Sequence, residues 1–76
     1  MAIFFRFEVM EGNERRNIKI GLLVSVVLKK HQQSGELTEG FVKRVLTNSN
    51  YHPHGIKVML EDGQIGRVKE IHEVET

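Results

Sequence analysis

A chain of 76 residues and 8.8 kDa has room for one small domain and no second one. Its hydrophobic share of 39% and charged share of 28% make it globular rather than disordered. The lack of cysteine excludes a disulfide scaffold, a zinc ribbon and a thiol nucleophile.

No apolar run approaches the roughly 18 residues of a membrane span. The opening residues lack the basic start, long apolar centre and small-residue cleavage site of a signal peptide. The expectation is a soluble, cytoplasmic protein with no membrane partner. The formal net charge of +1 conceals a pattern. Residues 1–14 set Arg6 against Glu8, Glu11 and Glu14, a balance of −2. Residues 15–69 set ten Lys and Arg against Glu36, Glu39, Glu61 and Asp62, a balance of +6. Residues 70–76 add Glu70, Glu73 and Glu75, a balance of −3. A basic middle between acidic ends attracts polyanions by displacing their counterions. The same pattern also arises where acidic ends merely fold back or keep a chain soluble.

In chain order, Phe5, Phe7 and Val9 alternate with Arg6 and Glu8, which reads as a strand. Residues 1–14 form an N-terminal extension, either an added edge strand or a mobile tail. The compact domain spans residues 15–72, and residues 73–76 are a tail. Leu22 to Lys30 carries the strongest strand signal, with Val24, Val26 and Leu28 on one parity and Ser25 and Lys29 on the other. His31 to Gly35 is a polar loop.

Glu36 to Thr47 fits a strand or a short helix. Its β-branched residues and Gly40 favour the strand, with a bend or bulge at Gly40. Phe41 is expected in the core, with stacking beside Tyr51 as its other reading. Asn48 to Gly55 is a loop by its Asn, Ser, Pro and Gly content. Ile56, Val58 and Leu60 alternate inward, and Asp62-Gly63 predicts a two-residue type I′ hairpin. Gln64 to Val68 returns, with a bulge or a close backbone approach at Gly66. Ile71 and Val74 add a further short strand or a turn of 3₁₀ helix. The sum is an all-β fold, a small SH3-like barrel of four to five antiparallel strands, with an OB-fold as the rival.

Several stretches together carry a family likeness. They are Leu28-Lys29-Lys30, Ser34 to Gly40, Val45 to Ser49, His52-Pro53-His54-Gly55-Ile56-Lys57-Val58, and Leu60 to Val68. The combination resembles the small bacterial YwbE-type family over roughly residues 15–71. That resemblance implies a compact module and assigns no reaction. The order of Gly21, Val24 and Val26, then Gly40-Phe41-Val42, Ile56-Lys57-Val58, Asp62-Gly63 and Gly66-Arg67-Val68 is similar to KOW-type modules. Those are SH3-like barrels that often touch RNA or proteins of the transcription and translation machinery.

The candidate chemistry is sparse. His52-Pro53-His54 suits a loop-structuring role, a contact with nucleic acid or a partner, or a metal ligand. A zinc site takes three or four ligands, and His31 and His72 are distant in sequence, so no metal is assigned. Lys29, Lys30, Lys43, Arg44, Lys57, Arg67 and Lys69 form the basic set. Lys29 and Lys57 oppose the inward parity and should share a solvent face with Lys43. Phosphate neutralisation needs such cations, and Tyr51 offers a stacking surface. A merely solvated strand face reads the same way.

Glu61-Asp62 fall at a turn. No phosphate loop, nucleophile elbow or serine triad is present, and no enzyme or cofactor is expected. The expected partner is RNA or a ribonucleoprotein. Contacts would run through Lys29, Lys30, Lys43, Arg44, Tyr51, His52, His54, Lys57, Arg67 and Lys69. The other reading is a protein-interaction module or homodimer using edge strands or Phe4, Phe5 and Phe7.

Overall fold

A computed structural model of the chain describes residues 6–75, with side chains over residues 11–72. Five strands follow in order: β1 Arg6–Glu11, β2 Leu23–Leu28, β3 Leu37–Val45, β4 Lys57–Leu60 and β5 Ile65–Glu75. Single 3₁₀ turns at Arg15–Asn17 and Lys29–His31 are the remaining regular elements. All pairings are antiparallel, in the order β1-β5-β2-β3-β4, and β4 also pairs with β5. β2, β3, β4 and β5 therefore close a four-stranded barrel of the small SH3-like kind. Closure leaves these strands no long open edge, which is how a chain this short covers its backbone polar groups.

β5 is the organising strand. Its first residues pair with β4 on one side, through Lys57↔Arg67, Val58↔Gly66 and Met59↔Ile65. On that same side its later residues pair with β1, from Glu11↔Glu70 to Arg6↔Glu75. The other side pairs with β2 from Gly66 to Ile71. The last part of β5 and β1 thus form a two-stranded ribbon extending from the barrel. The molecule measures 46 Å along its longest axis against 26 and 23 Å across. One continuous β5 replaces the separate short strand or 3₁₀ turn expected around Ile71 and Val74. Phe7 lies in β1 by its backbone, whereas Phe4 and Phe5 fall outside the described residues.

The core is aliphatic. Val24, Val26, Val42, Ile56, Val58, Leu60, Val68 and Ile71 are fully buried, and Ile18 and Leu28 nearly so. The alternation of Ile56, Val58 and Leu60 places all three inside, as their spacing dictates. Burying each such side chain contributes roughly 1.5–3 kcal/mol before conformational entropy is subtracted.

Four local expectations need correction. Phe41 is 49% exposed rather than in the core. It stands opposite Leu23 on the outer face, because Val42 takes the inward position beside it. β3 is a strand, but its irregularity falls between Val42 and Arg44 rather than at Gly40. β2 is buried on both faces: Ser25 and Val27 are 6% and 8% exposed. Lys29 lies past the strand end, in the 3₁₀ turn.

The β4–β5 connection is also not a two-residue type I′ turn. That turn requires φ > 0 at both central residues, and only Gly63 has it, at 91°. The chain instead closes Gly63 N–H onto the Leu60 carbonyl at 2.9 Å and Leu60 N–H onto Gln64 at 2.8 Å. This is a longer loop with the glycine at its left-handed position. The Asp62 carboxylate accepts from Gln64 N–H and Nε2–H at 3.0 and 2.7 Å. Those bonds favour the charged form and hold Asp62 below the usual aspartate range.

Candidate nucleic-acid interface

Two adjoining hollows open on the outer face of the barrel and share Val27, Gln32 and Arg67. The first, of about 380 Å³, is also lined by Gly35, His54 and Lys69. The second, of about 410 Å³, is also lined by Lys29, Lys57, Ile65 and Gly66. Neither lining includes a carboxylate. The register explains the gathering. Val27 stands opposite Arg67, and Arg67 opposite Lys57, so one row crosses β2, β5 and β4 on a single face. Lys29 joins that row from the turn that follows β2.

Two loops wall the hollows, and both are built rather than loose. In residues 29–36, Gly35 N–H donates to the His31 carbonyl at 2.8 Å, and Ser34 Oγ donates to it at 3.3 Å. Glu36 N–H donates to Ser34 Oγ, and His31 Nε2 lies 3.2 Å from the Glu36 carboxylate.

The second loop, residues 46–56, is pinned from three directions. From the N-terminal side, Arg15 N–H donates to Asn50, and Asn13 Nδ2–H donates to Pro53. In return, His52 N–H and Ile56 N–H donate to Asn13 and Gly12. At its base, Lys57 N–H donates to Thr47 Oγ1 at 2.7 Å. From β5, Arg67 Nη1–H donates to the Gly55 carbonyl at 3.1 Å and Lys69 Nζ–H to the His54 carbonyl at 2.8 Å. Gly55 has φ +99°, and a Cβ there would collide with the Val68 carbonyl. Only glycine permits this close crossing.

Within the loop, His54 N–H donates to His52 Nδ1 at 3.1 Å. This fixes the neutral His52 tautomer with its proton on Nε2. The two rings stand 5.9 Å apart. Partial burial, together with the charges of Arg67, His54 and Lys69, holds His52 below the ordinary histidine value.

The fold brings Lys29, His54, Lys57, Arg67 and Lys69 around the two hollows, with His52 beside His54. It does not bring the rest there. Lys30 is exposed in the 3₁₀ turn, outside both linings. Lys43 is exposed and has no ladder partner where the β3–β4 register shifts. Lys43 therefore does not join the group that Lys29 and Lys57 enter at the hollows. The shift sets Arg44 opposite Met59 instead, and Met59 opposite Ile65. Tyr51 is 58% exposed, bridges to Glu14 and belongs to neither lining.

Sequence reasoning missed Val27, Gln32, Gly35, Ile65 and Gly66 as lining residues. Ile65 and Val27 carried the only signal, an apolar side chain on a strand's outward parity. Sequence reasoning also missed a polar knot on the same sheet. Ser25 Oγ and His72 Nε2 lie 2.7 Å apart, with the Glu39 and Glu70 carboxylates 3.9 and 4.0 Å from that nitrogen. No group of His, Asp and Glu suited to hold a metal ion occurs among the described residues.

The family described as "Uncharacterized conserved protein (DUF2196)" matches residues 11–71. The chain belongs to this family. That span takes in the barrel, both walls of the groove and the segment that pins the second loop. Bacillus subtilis (strain 168) has a relative described as "Uncharacterized protein YwbE". It is 60% identical over 62 residues, covering 82% of this chain and 95% of that protein. The YwbE-type resemblance of the sequence is thereby established as kinship. No solved structure matches the chain significantly.

Proposed function

We propose that this small barrel is a non-enzymatic RNA-binding or ribonucleoprotein-associated module working through the groove of Lys29, Lys57, Arg67, Lys69 and His54. One observation carries the reading. Four cationic side chains, with His54 beside them, converge on two joined hollows with no carboxylate in either lining. Clustered cations with no carboxylate among the lining residues suit a phosphodiester backbone, and the exposed side of Ile65 offers an apolar surface for a base. Each hollow is of the size that takes a nucleotide-sized group.

The test is binding of labelled single-stranded and structured RNA at low and physiological salt. For single strands the logarithm of the affinity should fall with the logarithm of salt, with a slope of about −0.7 per phosphate neutralised. Lys29→Gln with Lys57→Gln removes two exposed cations and leaves the backbone bonds intact. The pair should weaken binding about tenfold and flatten the slope by about 1.4. Binding that survives with an unchanged slope overturns the proposal.

A second reading rests on β1, whose outer edge has no ladder partner among the described residues. An added strand from a protein partner or a second copy would pair there by backbone hydrogen bonds. Its affinity would be nearly insensitive to salt, which separates the two readings.

A further inference from the structure

We infer that the corner of the groove formed by His52, His54, Arg67 and Lys69 is a proton-linked phosphate subsite, where a bound phosphodiester and a proton on the histidine loop favour each other. The inference rests on the RNA-binding reading and adds the regulation of that same site.

The geometry sets up the linkage. Arg67 and Lys69 each spend one donor on the loop carbonyls of Gly55 and His54. The remaining guanidinium and ammonium donors stay available at the hollow they line. These cations oppose a further positive charge on His52. The His54 N–H also occupies His52 Nδ1, so a second ring proton must displace it. Both effects disfavour a proton on His52.

A phosphodiester in the hollow reverses the balance. Its negative charge offsets Arg67 and Lys69 and favours imidazolium at His52. Once His52 Nδ1 is protonated, the His54 N–H loses its internal acceptor. The ring proton and this backbone N–H then become two new donors beside the hollow. Charge-assisted bonds of this kind are about twice as strong as neutral ones.

The charged groups around this corner come from three elements. On the facing loop, the Glu36 carboxylate beside Gly35 lies 3.2 Å from His31 Nε2, and neither residue lines the hollow. Across the pairing from this loop lies Glu14, opposite Tyr51, and its carboxylate accepts from Arg16 Nε–H and Asn17 Nδ2–H, each at 3.2 Å. From β5 the facing charges are Arg67 and Lys69, and from the loop itself His54. Proton uptake on binding means that affinity must rise as pH falls, and fall again toward alkaline pH.

The experiment uses the full chain and an oligouridylate of about ten nucleotides with hydroxyl groups at both ends, a length within the range one small barrel covers. Such a probe does not titrate between about pH 5.5 and pH 8, so any proton taken up belongs to the protein. Anisotropy titrations across that range should show affinity rising about tenfold toward acid, as one linked proton allows. Calorimetry near pH 6.5 in two buffers of different ionisation heat should register net proton uptake.

His52→Asn combined with His54→Asn keeps an acceptor near the Nδ1 position and removes the titration. This variant should lose the pH-dependent gain and the proton uptake. Circular dichroism at each pH reports that the barrel is folded. A wild-type profile that is flat, or a slope that survives in the double variant, overturns the linkage and leaves RNA binding standing. Absence of binding at every pH overturns both.

Discussion

The two ends of this molecule are built from the same long strand and behave as opposites. At its first residues β5 is part of a closed barrel, with β4 on one side and β2 on the other. Toward its C-terminus it pairs with β1 along one edge and leaves the barrel. The barrel end encloses the aliphatic core and carries the cationic groove. The ribbon end is acidic in sequence: its register sets Glu11 opposite Glu70, Glu8 opposite Glu73 and Arg6 opposite Glu75. The near-neutral net charge is therefore an average over two poles.

The exchange of partners is local. β2 and β5 shift register between Ser25 and Val26, leaving Lys69 outside the ladder. The pairing of β5 with β4 ends at Arg67, and that with β1 begins at Glu70. A bulge bends a strand and re-aims its side chains. Here it coincides with Lys69 reaching the His54 carbonyl. The residues matched by the family, 11–71, take in the groove and stop short of most of the ribbon. The comparison teaches that stability and the proposed binding site both reside in the barrel half.

Three substitutions probe that division. The largest effect belongs to the barrel. Leu60→Ala empties a fully buried position. It should cost about 2–5 kcal/mol, most of what a domain this small has. Urea denaturation followed by circular dichroism reads the loss. A cost below about 1 kcal/mol would mean that the core is not packed as described.

An intermediate effect belongs to the junction. Ser25→Ala removes the 2.7 Å contact that ties β2 to His72 on the ribbon half of β5. About 1 kcal/mol should be lost. Amide hydrogen exchange should quicken more in residues 70–75 than in β4. Uniform quickening would show that the ribbon and barrel unfold as one unit.

The smallest effect belongs to the ribbon. Glu11→Gln removes one of two like charges set directly opposite. It should stabilise by a few tenths of a kcal/mol at low salt, and salt should erase the gain. A loss of stability would indicate that Glu11 pairs with a cation rather than opposing Glu70.

Much of the fold was legible along the chain. β-branched density marked β2, strict alternation marked β4, and Asp62-Gly63 marked the hairpin between β4 and β5, though not its turn type. A strand's period of two is a local property, so residues two apart suffice to reveal it. The site was half legible. Its cations and its histidine loop stood out as residue types, but their grouping did not. Lys43 and Arg44 looked equivalent until a register shift on β3 set Arg44 opposite Met59 and left Lys43 unpaired. Phe41 looked like core until Val42 took the inward place.

By itself, then, the sequence determined the class of fold, the strands β2 and β4, most of the aliphatic core positions and the basic middle between acidic ends. These follow from side-chain size, branching and charge, which each residue carries wherever it sits. Only the tertiary structure decided which cations meet, where the bulges fall, and that the two acidic ends lie side by side on one ribbon. Those depend on pairing between residues far apart in the chain, from Glu11↔Glu70 to Lys57↔Arg67. A shift of one residue in any ladder would turn every side chain along it to the other face.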